Sequence, residues 1–203
     1  MDEKNRLTIE KAAETLKQGG IILAPTDTVW GLICDYANEQ AVASIYAMKK
    51  SPPKPIAVLV SSLDMAARLK VGMSRYVEAL ARAYWPGGLT LIFKSEDEHI
   101  KHIAGENNSI GIRLPASDNL QALIEEFGHP VAATSANISG AGQPYSFDDI
   151  PDEITMNADY ICQFDTETSG IASTVVDCTG DVFRIIREGE ISQEQLEKVV
   201  ADQ

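Results

Sequence analysis

Cysteine and histidine are scarce in this chain, with three of each in 203 residues. Cys34, Cys162 and Cys178 are far apart, and no Cys-x-x-Cys pair or Cys/His cluster exists. That argues against a zinc ribbon or a disulfide framework and for a reducing, cytoplasmic setting. His99 and His102 share a helical spacing but lie in a polar stretch, and His129 stands alone. They read as surface residues, and no protein metal site is expected. Long apolar runs are missing too. Stretches such as Ile21–Ala24 and Ile56–Val60 fall far short of the ~20 residues that a membrane-spanning helix needs. The first residues, Met-Asp-Glu-Lys-Asn-Arg, lead into no apolar core, so no secretory signal is expected.

Positive charge is also in deficit. The chain has 17 basic and 30 acidic side chains, for a net charge of −13. The shortage is local: residues 114–203 hold 3 basic and 17 acidic side chains, and residues 1–113 hold 14 and 13. Nucleic-acid affinity rests mainly on phosphate neutralisation, so the second half is poorly suited to RNA. Its carboxylates read as solvated helix faces and loops. An anionic ligand is expected mostly on the basic residues of the first half.

What remains is an ordinary globular composition, 44% hydrophobic and 23% charged. A chain of this length buries roughly 70% of its unfolded surface and needs no metal or disulfide to fold. One domain over 1–203 is expected.

Hydrophobic spacing places the elements. Ile9, Ala12, Ala13 and Leu16 predict a helix over 8–19, capped by Thr8 and stopped by Gly19-Gly20. Short buried strands are predicted at 21–24 (broken by Pro25), 56–60 and 131–134, and further strands at 31–34, 89–93 and 109–113. Helices are predicted at 38–49, within 62–84, at 117–127 and at 193–200. Residues 173–178 and 183–186 predict a hairpin around Thr179-Gly180-Asp181. The alternation predicts an α/β fold: one open, twisted, mixed sheet with helices packed on it. The Gly-, Pro- and Asp-rich segment 140–152 is the loosest stretch.

Four polar segments follow or flank predicted strands, where α/β sheets tend to bind ligands. Pro25-Thr26-Asp27-Thr28-Val29-Trp30-Gly31 is either a turn or a ligand loop. Lys49-Lys50-Ser51-Pro52-Pro53-Lys54-Pro55 holds three ammonium groups on a stiff loop, which suits phosphate or simply a solvated helix end. Thr134-Ser135-Ala136-Asn137-Ile138-Ser139-Gly140 puts Ser135 and Asn137 on one side if extended, as ligand groups or as a helix cap. Ser173-Thr174-Val175-Val176-Asp177 precedes Arg184 and Arg187. There Asp177 pairs within the hairpin, or an arginine binds an anion, and Arg113 carries the same two readings. No Walker loop, dinucleotide fingerprint or nucleophile elbow is present.

In this order, with Trp85-Pro86-Gly87-Gly88-Leu89-Thr90, Gly111-Ile112-Arg113-Leu114-Pro115 and Ile185-Ile186-Arg187-Glu188-Gly189, these segments resemble the YrdC-like family of L-threonylcarbamoyladenylate synthases. The resemblance covers about 8–190 and implies the short, single-domain form with a concave polar cavity. It implies synthesis of threonylcarbamoyl-AMP and pyrophosphate from L-threonine, bicarbonate or CO2, and ATP with its Mg²⁺. The product would feed N6-threonylcarbamoyladenosine formation through transfer machinery acting on tRNA. By the family pattern, Lys49 and Lys50 would be catalytic. Thr28, Arg113 and Ser173 would hold threonine, and Lys50, Lys54, Ser135, Asn137 and Arg187 would hold ATP. Segments 140–152 and 165–172 are the expected lid.

Three positions depart from the family. Ser51 replaces its arginine, leaving Lys50 or Lys54 to supply the cation; Trp30 replaces Tyr or Phe; Leu59 replaces a histidine. Two other readings stand beside the synthase: a non-enzymatic RNA-binding module of the same fold, and a carbamoyl-adenylating domain like that of hydrogenase maturation.

Overall fold

The computed structural model describes residues 2–164 and 166–201. Nine strands form one sheet: β1 (Ile22–Pro25), β2 (Trp30–Asp35), β3 (Ala57–Leu59), β4 (Leu89–Lys94), β5 (Ser109–Arg113), β6 (Val131–Ser135), β7 (Tyr160–Ile161), β8 (Thr174–Asp177) and β9 (Arg184–Arg187). Their spatial order is β7-β1-β2-β6-β3-β5-β4-β8-β9. Parallel pairs (β1·β7, β3·β5, β4·β8) mix with antiparallel ones, so the expected mixed sheet is present.

The helices are α1 (Glu3–Lys17), α2 (Glu39–Met48), α3 (Leu63–Ala67), α4 (Arg75–Tyr84), α5 (Asp118–Phe127), α6 (Asp152–Asn157) and α7 (Gln193–Ala201). Each long helix turns an apolar stripe inward, such as Ile9, Ala12, Ala13 and Leu16 of α1 or Leu120, Leu123, Ile124 and Phe127 of α5. No described helix is long and apolar enough to cross a membrane.

The period of two along each strand decides where the cavity lies. Leu32, Val58, Leu91, Ile112, Ala132 and Val176 are fully buried and join the helices in one core. Their strand neighbours Gly31, Ala57, Thr90, Gly111, Ala133 and Val175 line an open cavity instead. Several of these are small, which leaves the sheet concave there. Gly111 shows the constraint, because a Cβ at that position would lie 3.1 Å from Cγ2 of Thr90.

Three elements differ from the sequence expectation. The first helix begins at Glu3, capped by Asp2, whose carboxylate accepts from Asn5 N at 2.7 Å. Thr8 lies inside it, with its hydroxyl donating to Lys4 O at 3.0 Å. The first turn is solvent-facing and carries no apolar spacing to announce it. Pro25 does not break β1 but closes it, paired with Trp30. Segment 140–152 contains a 3-10 turn at Phe147–Asp149 and runs into α6 and β7, both too short for a periodicity to register.

Candidate active site

The cavity has a volume of about 250 Å³ and receives a side chain from most of the polar segments. Arg113 ends β5 and lies buried at one end. Its Nε donates to Gly87 O at 2.9 Å, its Nη1 to Thr28 Oγ1 at 2.7 Å, and its Nη2 to Asp27 Oδ1. The other Asp27 oxygen accepts from Ala116 N at 3.0 Å. Three of the five N–H donors of a guanidinium are thus committed, which fixes its plane and leaves two for a ligand.

The turn between β1 and β2 holds Thr28 in place. Thr26 Oγ1 donates to Val29 O at 2.8 Å and accepts from Thr28 N at 3.1 Å, and the two threonine hydroxyls lie 3.0 Å apart. The turn reading of this segment holds, and the same turn aims Thr28 at the cavity.

Ser173 meets Arg187 and Thr90 beside this cluster. Arg187 donates from Nη2 to Ser173 O at 2.8 Å, and the Ser173 and Thr90 hydroxyls lie 2.8 Å apart. Burial, then the proximity of Arg113, pulls the Arg187 pKa down from its ordinary value. Two guanidiniums that repel each other beside a single carboxylate suit an anionic ligand. Asp177 of the same segment turns away and pairs with Arg184 at 3.0 Å.

A second recess of about 200 Å³ adjoins the cavity along Pro55-Ile56 and Thr134-Ser135. Lys49 caps the C-terminus of α2 and is buried there. Its Nζ donates to Ser135 O, to Asn137 O at 2.8 Å and to Asn137 Oδ1 at 3.1 Å. An ammonium has three donors, and these three oxygens use them all. Asn137 is fixed further by Ser135 Oγ, which donates to its Oδ1 at 2.6 Å, and by its own donation to Ala141 O at 2.8 Å. Burial, then the charge of Lys54, lowers the Lys49 pKa to about 8.

Lys54 stands at the rim, exposed, with Nζ 3.0 Å from Ser139 Oγ. Tyr46 donates from its hydroxyl to Lys54 O and anchors the Pro-rich loop. Ser51 also lines this recess. No carboxylate lines it among the described residues.

The structure therefore brings together Thr28, Arg113, Ser173 and Arg187 at one end, and Lys49, Lys54, Ser135 and Asn137 at the other. Lys50 is apart from both. It has a positive φ of 49°, and its Nζ pairs with Glu153 of α6 at 2.6 Å. Asp27, Thr90 and Gln143 line or support the cavity without having been singled out by the sequence. Asp27 was visible within Pro-Thr-Asp-Thr, but nothing in the spacing tied it to Arg113, 86 residues away.

Parts of both expected lid segments reach the site. Ser169 N donates to Asp27 O at 3.0 Å and Gly170 N to Thr28 O at 2.8 Å. Phe147 tilts against Trp30 with ring centroids 5.3 Å apart. Asp165, at the start of the second segment, lies outside the described residues. Burial pushes all three thiols up to about 12, so none is a thiolate nucleophile near neutral pH.

Comparison with known proteins places this geometry. The Sua5/YciO/YrdC family model, described as "Telomere recombination", matches residues 14–189. The chain belongs to the Sua5/YciO/YrdC family. A threonylcarbamoyl-AMP synthase of Pyrococcus abyssi is 31% identical over 195 residues, covering 96% of this chain and 57% of that protein. One from Bacillus subtilis is 30% identical over 194 residues, covering 95% and 56%. This chain thus spans a little over half the length of these two relatives. A synthase of Pseudoalteromonas translucida is 30% identical over 183 residues, covering 87% of this chain and 97% of that one.

The crystal structure of P. abyssi Sua5 complexed with L-threonine superposes with a TM-score of 0.88 at 31% identity, covering 94% of this chain and 56% of that one. E. coli YciO superposes with a TM-score of 0.84 at 25% identity, covering 95% and 93%. The family fold expected from the motifs is therefore present from α1 to β9.

Proposed function

We propose that this member of the Sua5/YciO/YrdC family makes threonylcarbamoyl-AMP and pyrophosphate from L-threonine, bicarbonate or CO2, and ATP. The observation that carries this reading is the pairing of two adjoining cation-lined spaces. One is built round the buried Arg113 and suits a small carboxylate. The other is built round Lys49 and Lys54, lacks a carboxylate among the described residues, and suits phosphates.

The chemistry asks little of the side chains beyond placement. The threonine nitrogen forms a bond to the carbon of CO2 and loses a proton. A carbamate oxygen then attacks the α-phosphorus of ATP, and the bond from that phosphorus to the β-phosphate bridge breaks, releasing pyrophosphate. Both reactants are anions, so charge neutralisation and alignment dominate. Holding two reactants in attack geometry supplies about 7–11 kcal/mol of a barrier. Arg113 would hold the threonine end, and Arg187, expected with ATP, packs against Ser173 beside it and would reach from there to the phosphates of the nucleotide. Lys54, with the loop that Lys49 fixes, would hold the nucleotide end.

Mg²⁺ would arrive on ATP as part of the substrate. Among the described residues no group of three or more His, Cys, Asp and Glu could form a metal cage. The product would pass to machinery that transfers the threonylcarbamoyl group to tRNA. The test is pyrophosphate release with ATP, Mg²⁺ and bicarbonate, compared with and without L-threonine.

A further inference from the structure

The first cavity is rich in donors and poor in acceptors. Both Asp27 oxygens are engaged, by Arg113 and by Ala116 N. Thr28 Oγ1 accepts from Arg113, and Thr26 Oγ1 accepts from two backbone N–H groups. Ser173 accepts from Arg187 at both its carbonyl and its hydroxyl. One acceptor differs. Gln143, on the loop after Asn137, lines the same cavity, and its Oε1 is buried without a hydrogen-bond partner. Among the described residues it is the only buried side-chain nitrogen or oxygen in that condition.

An orphaned buried acceptor is unfavourable, and such groups call for an explanation. A ligand donor supplies one here. In the synthase reading, on which this step rests, the ligand is an amino acid. Its carboxylate can take the guanidinium donors. Its hydroxyl both donates and accepts, so neighbouring hydroxyls can satisfy it. Its amino nitrogen, as an ammonium, only donates and needs an acceptor. It keeps one N–H after losing a first proton to become an amine and a second on adding to CO2.

We infer that Gln143 Oε1 accepts a hydrogen bond from the amino nitrogen of the substrate, making Gln143 a specificity residue for α-amino acids over their hydroxy-acid analogues. Because Gln143 lies on a surface loop, substrate would also tie that loop to the cavity.

The test compares binding of L-threonine and of 2,3-dihydroxybutanoate, its analogue with hydroxyl in place of the amine, by calorimetry. The proteins are the wild type, Gln143→Met and Gln143→Glu. Gln143→Met keeps the side chain's length and removes the acceptor. It should weaken threonine on the order of tenfold, the scale of one lost hydrogen bond to a charged group. The Kd for the analogue, whose hydroxyl can give only one uncharged hydrogen bond to Gln143, should rise by less, and that for ATP should stay at the wild-type value. Gln143→Glu, which keeps an acceptor, should bind threonine more tightly than Gln143→Met does. Wild-type affinity for threonine in Gln143→Met, or an equal loss for threonine and analogue, overturns the inference. The synthase reading stands or falls separately: threonine-dependent pyrophosphate release by the wild type retains it even if Gln143 proves silent. A wild type that binds no threonine removes both.

Discussion

Asp27 holds Arg113 by one carboxylate oxygen and the backbone of Ala116 by the other, at 3.0 Å. One side chain thus joins the β1–β2 turn, the end of β5 and the start of the segment leading to α5. Breaking a buried ion pair by removing one partner costs about 3–5 kcal/mol, because the other charge is left buried and unpaired. Asp27→Ala should lower the melting temperature and raise the threonine concentration needed for half-maximal rate far more than that for ATP. Thermal melts with paired KM measurements check this; an equal rise in both KM values contradicts it.

The two lysines of the recess should separate in their effects. Lys54 is exposed and holds one hydroxyl, so Lys54→Ala should weaken ATP on the order of tenfold with little change in stability. Lys49 is saturated by the Ser135–Asn137 turn, so Lys49→Met should also loosen that turn. The expected cost is about 1–3 kcal/mol of stability, with faster amide exchange around Asn137. Lys50→Ala should lose only an exposed ion pair, worth about 0–1 kcal/mol, and leave ATP affinity unchanged. ATP titrations and melts of the three variants decide the matter.

The lowered Lys49 pKa gives a signed pH dependence. In the folded protein the ammonium loses its proton as pH rises through about 8, below the ordinary 10.5. A bound polyphosphate favours the charged form, so ATP affinity should fall from pH 7 to pH 9. Lys49→Arg, charged throughout, should flatten that fall. For stability this group acts in the opposite sense. Between about 8 and 10.5 the unfolded chain binds more protons here than the folded one, so its contribution improves as pH rises. Calorimetric titration of ATP at the two pH values is the check.

Gly189 follows Arg187 and passes close against the backbone before β8. A methyl group there would overlap Ala172 O and lie 2.7 Å from the carbonyl carbon of Ser173. Backbone cannot swing aside as a side chain can, so Gly189→Ala should cost about 1–3 kcal/mol. It should also displace Ser173 from Arg187. A lower melting temperature together with weaker threonine binding is expected.

The legible part of the fold was the part with a repeating pattern. The Ile9-Ala12-Ala13-Leu16 stripe and the runs at Ile21–Ala24 and Ile56–Val60 announced α1, β1 and β3 because burial sets their period. The solvent-facing first turn of α1, and the short α6 and β7, carry no such period. Site residues were legible as polar clusters at strand ends, which is how Thr28, Arg113, Ser135 and Asn137 stood out. Partnership was not legible. Nothing local says that Lys50 turns to Glu153 while Lys49 turns inward; the positive φ at Lys50 sends neighbouring side chains different ways. Asp27–Arg113 and Gln143 likewise depend on contacts between distant segments.

Threonylcarbamoyl-AMP synthesis is tested most directly by pyrophosphate release from ATP with Mg²⁺ and bicarbonate, titrated with L-threonine and, separately, with L-serine. Release should depend on threonine, exceed that with serine, and be lost in Arg113→Ala. Release that ignores the amino acid, or none from folded protein that binds ATP, would contradict it.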